Sequence, residues 1–180
     1  MSSRHLTAAF IGLAMVVAPV GQATVWARAI PAATVNSLQS TIAAAARSAA
    51  ATPNFASLSN ADKLAAIQAS VTQALSTSGA PPEMIAKALI AAVKAGIISA
   101  GVAIAVAASV APDFAQMVAN DPAVLAQLAA TGQSATVTGA TDGGQSVSVL
   151  VNLQGPAGGG GGAGASFDPC AGVVAAYCGG

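Results

Sequence analysis

Apolar side chains recur every three or four residues from Val35 through Leu38, Ile42, Ala45 and Ala49, which draws a single stripe along a helix. Pro53 and Asn54 end it. Ser59-Asn60-Ala61-Asp62 has capping-box spacing, so its side chains are placed to satisfy free N–H groups of a new first turn. Leu64, Ile67, Val71 and Leu75 mark a second helix, which Gly79 stops. Pro81 and Pro82 open a third, where the missing proline N–H would have had no partner anyway. This third helix is expected to run unbroken from Glu83 to about Ala111. Glu83 and Lys87 stand one turn apart on its polar side, with Lys94 beyond them. After Lys94 the polar side is lost, and "AGIISAGVAIAVAASVA" is apolar all round. Pro112 breaks the helix, "DFAQMVAN" makes a fourth, and Asp121-Pro122 starts a fifth that ends at Gly132.

A helix apolar on every side is either wrapped by protein or inserted in lipid. Gly101, Ala105 and Ser109 give it a small-residue stripe that another backbone could approach. Its seventeen residues rise about 25 Å, short of the ~30 Å hydrocarbon layer. The central-core reading is therefore preferred, and insertion of residues 94–111 into a membrane is the alternative.

Beyond Gly132 the period changes to two. "SATVTGA" and "QSVSVLVNL" flank Thr141-Asp142-Gly143-Gly144, a hairpin signal. A three-residue loop, Asp142 to Gly144, would pair Val137 with Val149, Ala135 with Val151 and Gly139 with Val147, gathering the apolar residues on one face. A lone hairpin is marginal in water, so this one must lie on the bundle or add to a strand of another chain. Residues 155–166 are nearly all Gly and Ala, a flexible tether with an r.m.s. reach of about 18 Å. It is expected to hold the last segment near the domain without packing it into the core. The fold class that emerges is mainly α. An alanine-rich antiparallel helical bundle (30–132) precedes a C-terminal β-hairpin (133–154), a Gly-rich linker (155–166) and a terminal disulfide loop (167–180).

The N-terminus changes the setting of this fold. "MSSRH" supplies a short basic region before the 15-residue apolar run "LTAAFIGLAMVVAPV". Ala27-Arg28-Ala29 then offers a strict A-x-A cleavage site, with Gly21-Gln22-Ala23 as its rival. Residues 1–29 thus resemble the export leader of a bacterial protein, with cleavage after Ala29 or, alternatively, after Ala23; an uncleaved anchor is the third possibility. Cleavage after Ala29 removes His5, the sole histidine, and Trp26, the sole tryptophan. The mature chain keeps Arg47, Lys63, Lys87 and Lys94 against six acids, a net charge of −2. Its place is periplasmic or secreted.

Composition and charge exclude several classes of function. Hydrophobic residues are 54% of the chain but aromatics only 3%, so small side chains must build the core. Charged residues are 7%, against roughly 25% in ordinary domains. Lys and Arg form no cluster, which excludes a nucleic-acid partner. So weakly charged a surface points to association with a copy of itself, an envelope component or a membrane.

No catalytic, cofactor-binding or metal-binding residues are assigned. The acids Asp62, Glu83, Asp113, Asp121, Asp142 and Asp168 sit at helix starts or turns, where capping accounts for them. The serines have no base to activate them, and the glycine run lacks the phosphate-loop pattern. Cys170 and Cys178 are too few for zinc and too far apart for a CxxC redox motif. In an oxidising compartment they are expected to pair with each other around "AGVVAAY", with intermolecular pairing as the alternative. The loop so closed, flanked by Phe167 and Tyr177, would be a docking knob on a tether. Its cross-link would be worth about 2.5 kcal/mol to the loop alone. The expected function is that of an exported, non-catalytic structural or interaction protein of the bacterial envelope, self-associating; insertion of the apolar helix is the competing expectation.

Overall fold

Six α-helices and a two-stranded antiparallel sheet make up the described part of the chain. A computed structural model of the protein describes residues 33–139, 149–156, 166–174 and 178. The expected leader with its candidate cleavage sites, the expected turn around Asp142, most of the glycine-rich segment, and Tyr177 lie outside the described residues. All described residues belong to one unit, Ala32–Gly180. The protein is mainly helical with a C-terminal hairpin, as its hydrophobic pattern indicates.

Helix α1 spans Val35–Ala50 and buries Leu38, Ile42, Ala45, Ala46 and Ala49, the stripe read from the sequence. Thr34 and Ser37 close a full capping box: Ser37 N–H donates to Thr34 Oγ1 at 3.1 Å and Thr34 N–H donates to Ser37 Oγ at 2.9 Å. A 3-10 turn, Phe55–Ser57, follows Asn54, whose φ of 66° places it in the left-handed region. Helix α2, Asn60–Ser76, buries Ile67, Val71 and Leu75. Ser59 caps it by accepting the Asp62 N–H at 3.2 Å. Asp62 does not complete the box; its carboxylate accepts the Ser59 hydroxyl at 2.6 Å instead.

The unbroken helix expected from Glu83 to Ala111 is two helices, α3 (Pro82–Lys94) and α4 (Ala100–Val110). Gly96 ends α3 with φ +64°. Its N–H donates to Val93 O, and Ile97 N–H donates to Ala92 O, both at 2.9 Å. This pair of bonds is the Schellman closure, which needs a residue at ease in left-handed geometry. Ser99 then restarts the chain as the N-cap of α4, accepting the Val102 N–H. Helix propensity and hydrophobicity are continuous across the break, but the caps override them.

Helix α4 is the centre of the molecule. It packs against α2, α3, α5 (Pro112–Ala119), α6 (Pro122–Thr131) and the second strand of the sheet. Every residue from Ala100 to Ala107 is buried. The core is thus built mostly of alanine, valine, isoleucine and leucine around a helix whose first eight residues are closed to water, as the small-residue composition requires. Asp121 caps α6 by accepting the Ala123 N–H at 2.9 Å, and Gly132 (φ +66°) ends it.

Strands β1 (Ser134–Thr138) and β2 (Leu150–Gln154) pair with Val137 opposite Val151 and Ala135 opposite Leu153. The expected register, with Val137 opposite Val149, is displaced by two residues. A shift of two keeps every side chain on its own face, so the apolar set still points inward. Gln133 N–H is committed to Leu128 O at 2.9 Å in closing α6, and strand pairing begins at the next residue, with Ser134 opposite Gln154.

Candidate functional site

Two surfaces around α4 are built from more than local packing. The first is a seat for the C-terminal segment 166–174, here called the strap. The expectation that this segment stays out of the core is overturned. Phe167 is 6% exposed and belongs to the main core, and Pro169 is fully buried. The seat for the Phe167 ring is Gly101: a Cβ on that residue would lie 2.1 Å from Phe167 Cζ. A short tether limits reach but leaves docking free, and an aromatic ring is the largest apolar payload in a chain so poor in aromatics.

Two glutamines fasten the strap. Gln133, itself buried, donates through Nε2 to Asp168 O at 3.0 Å, and its Oε1 accepts the Thr131 hydroxyl at 3.2 Å. Gln127 donates through Nε2 to Gly172 O at 3.1 Å, while its Oε1 accepts the Ala100 N–H at the start of α4. A single amide side chain thereby joins α6, the first turn of α4 and the strap. At the outer end Val174 N–H donates to Gly96 O at 2.9 Å, laying the strap across the α3–α4 turn. Asp168 shapes the strap by accepting the Cys170 N–H at 2.9 Å. Cys170 and Cys178 are disulfide-bonded, with their Cα atoms 5.3 Å apart. Of the residues singled out from the sequence, these two are brought together, whereas Ala29 and Ala23 lie outside the described residues.

Sequence reasoning missed Gly96, Gly101, Gln127 and Gln133 as parts of this seat. The available signal was Phe167 followed by Pro169, a bulky and stiff pair after a run of glycine. The small-residue stripe Gly101, Ala105 and Ser109 does not receive the other backbone that its spacing suggests. It receives side chains instead: the Phe167 ring at Gly101, and Gln68, whose Nε2 donates to Ala105 O at 3.4 Å and Ser109 Oγ at 3.2 Å.

The second surface is an open groove of about 360 Å³ between α2, α4 and the inner face of β2. Leu64 and Val149, Val151 and Leu153 give it apolar walls, and Gln68 and Ser109 form a polar end. The inward residues of the sheet are only half-buried, so the hairpin leans on the bundle without sealing against it.

The ionisable groups of the described residues are spread around this core. Asp62, Glu83 and Asp113 occupy first helical turns, Asp121 is a cap and Asp168 shapes the strap. Glu83 is held below the usual carboxylate range by the hydrogen bond and charge of Lys87, 2.7 Å away. The pair is exposed and works as an ordinary helix-surface ion pair. Among the described residues no three His, Cys, Asp or Glu side chains gather where a metal ion could bind. No protein-family model, curated protein or solved structure matches the chain.

Proposed function

We propose that this is an exported, non-catalytic structural or interaction protein of the bacterial envelope that associates with copies of itself. The observation that carries the reading is the outward face of the hairpin. It presents Ser134, Thr136, Thr138, Leu150, Asn152 and Gln154, with Leu150 68% exposed. Neither strand carries a charge or a proline, the devices that usually keep sheet edges apart. Among the described acids, Asp62, Asp121 and Asp168 make capping or turn bonds, Glu83 is ion-paired and Asp113 lies in a first helical turn, which supports the non-catalytic part. The leader and the disulfide support a periplasmic or secreted location.

The test is size-exclusion chromatography with light scattering on protein recovered from the periplasm or medium. An assembly larger than the monomer is expected, and Leu150→Lys should weaken it by about tenfold or more through charge placed on an uncharged face. A strict monomer that also retains no partner from an envelope extract refutes the proposal.

The competing reading, insertion of residues 94–111 in lipid, draws on the uniformly apolar character of α4. In the folded protein that segment is split by the Gly96 turn, and Ala100–Ala107 are wrapped by protein. Among the described residues no helix is long and apolar enough to cross a membrane. Alkaline carbonate extraction is accordingly expected to release the mature protein from membranes; retention in the pellet would favour insertion.

A further inference from the structure

We propose that the Cys170–Cys178 disulfide is a redox latch that keeps the outer half of the strap seated over the α3–α4 turn, while the inner half stays docked whether the latch is open or closed. The strap divides naturally in two. Its inner half, Phe167 to Pro169, is buried in the seat formed by Gly101 and tied by Gln133 to the Asp168 carbonyl. Nothing in that half depends on a sulfur atom.

The outer half, Cys170 to Val174, is held differently. Its residues are half-buried or exposed, and Val174 is 85% exposed. Two hydrogen bonds join it to the body, Gln127 Nε2 to Gly172 O and Val174 N–H to Gly96 O. Ordering five residues for two hydrogen bonds and little apolar burial is unfavourable for an open chain. The disulfide closes the loop from residue 170 to residue 178, so part of that entropy is already lost before docking. The covalent closure therefore shifts the balance toward docking.

Both cysteines are half-buried rather than enclosed, so a dithiol can reach them. Its thiolate attacks one Sγ; the Sγ–Sγ bond breaks, a mixed disulfide forms and the other cysteine leaves as a thiolate. The second thiol of the reductant, as thiolate, then displaces the remaining cysteine. Two electrons pass to the protein, the dithiol becomes a disulfide, and the two cysteine thiolates take up the two protons that it gave up. With the loop open the outer half lifts away, and Gly96 O and Gln127 Nε2 turn to water. The core stays closed because Phe167 has not moved. This inference rests on the geometry of the strap and is independent of self-association.

The test is amide hydrogen exchange by NMR on the full exported chain, before and after addition of dithiothreitol. The Val173 and Val174 amides, bonded to Cys170 O and Gly96 O, should exchange about tenfold or more faster after reduction. Amides of α4, and that of Ile97 bonded to Ala92 O, should change by no more than about twofold. Reoxidation with glutathione disulfide should restore the first pattern, and Cys170→Ser/Cys178→Ser should reproduce the second. If that variant does not fold, the reduced wild-type chain decides alone. Unchanged protection at Val174 overturns the latch, and so does equal acceleration throughout α4, which would make the disulfide a support of the whole fold.

Discussion

Phe167→Ala should lower the stability of the protein by about 3 kcal/mol, the lower part of the range for truncating a buried phenylalanine. The ring is enclosed by the core, and the backbone of α4 lies directly under it because Gly101 has no side chain. Removing it leaves a void that rigid helix backbone cannot fill. In a domain of this size the melting temperature should fall by roughly 6–12 °C. Gly101→Val attacks the same seat from the other side, since its new Cβ would occupy space held by Phe167 Cζ. The two changes should therefore be strongly non-additive, with Phe167→Ala relieving much of the harm done by Gly101→Val. Urea unfolding of the two single variants and the double checks this. A Phe167→Ala change within about 0.5 kcal/mol of wild type would mean that the seat is empty in solution.

Ile104→Asp should abolish the folded state. Ile104 is wholly buried in a helix surrounded on every side by other elements, so the carboxylate would have neither water nor a partner. An unpaired buried charge costs several kcal/mol, and the lost apolar burial adds a further ~2 kcal/mol, against a total stability of about 5–15 kcal/mol. Far-ultraviolet circular dichroism should show loss of the cooperative thermal transition. Ser109→Asp, in the exposed last turn of the same helix, disturbs the Gln68 hydrogen bond and sets a negative charge at the helix C-terminus, and should cost only about 1–2 kcal/mol with the cooperative melt retained. A cooperative, native-like melt for Ile104→Asp would place α4 at a surface and undo the central-helix architecture.

The parts of this structure legible in the sequence are those with local causes. The stripe Leu38–Ile42–Ala45–Ala49, the prolines at positions 82, 112 and 122, and the Asp121 cap all act within one or two turns, and each element starts or ends close to where they place it. The α3–α4 break was also local, but Gly96 and Ser99 sit in so apolar a run that periodicity masks them. The hairpin register was half legible: alternation fixes the face, while an offset of two residues leaves every face unchanged and so leaves no mark in the alternation. The strap seat was not legible. Gln127 and Gln133 bond to carbonyls many residues away, and such side-chain-to-backbone bonds leave no periodic mark. Linker composition describes how far a segment can travel and is silent on whether it finds a place to rest.

The position of Phe167 in the chain has a consequence for biosynthesis. Translation delivers α4 well before the residue that covers Gly101, so for a time the nascent molecule carries its most apolar helix with one side uncovered. Such an intermediate is sticky, and a chaperone would meet it in that state. Chains interrupted anywhere between Gln154 and Phe167 would keep that exposed side permanently. Completion of the core thus reports that synthesis has passed residue 167, and a protease that reads exposed apolar surface could sort finished molecules from broken ones by this seat alone.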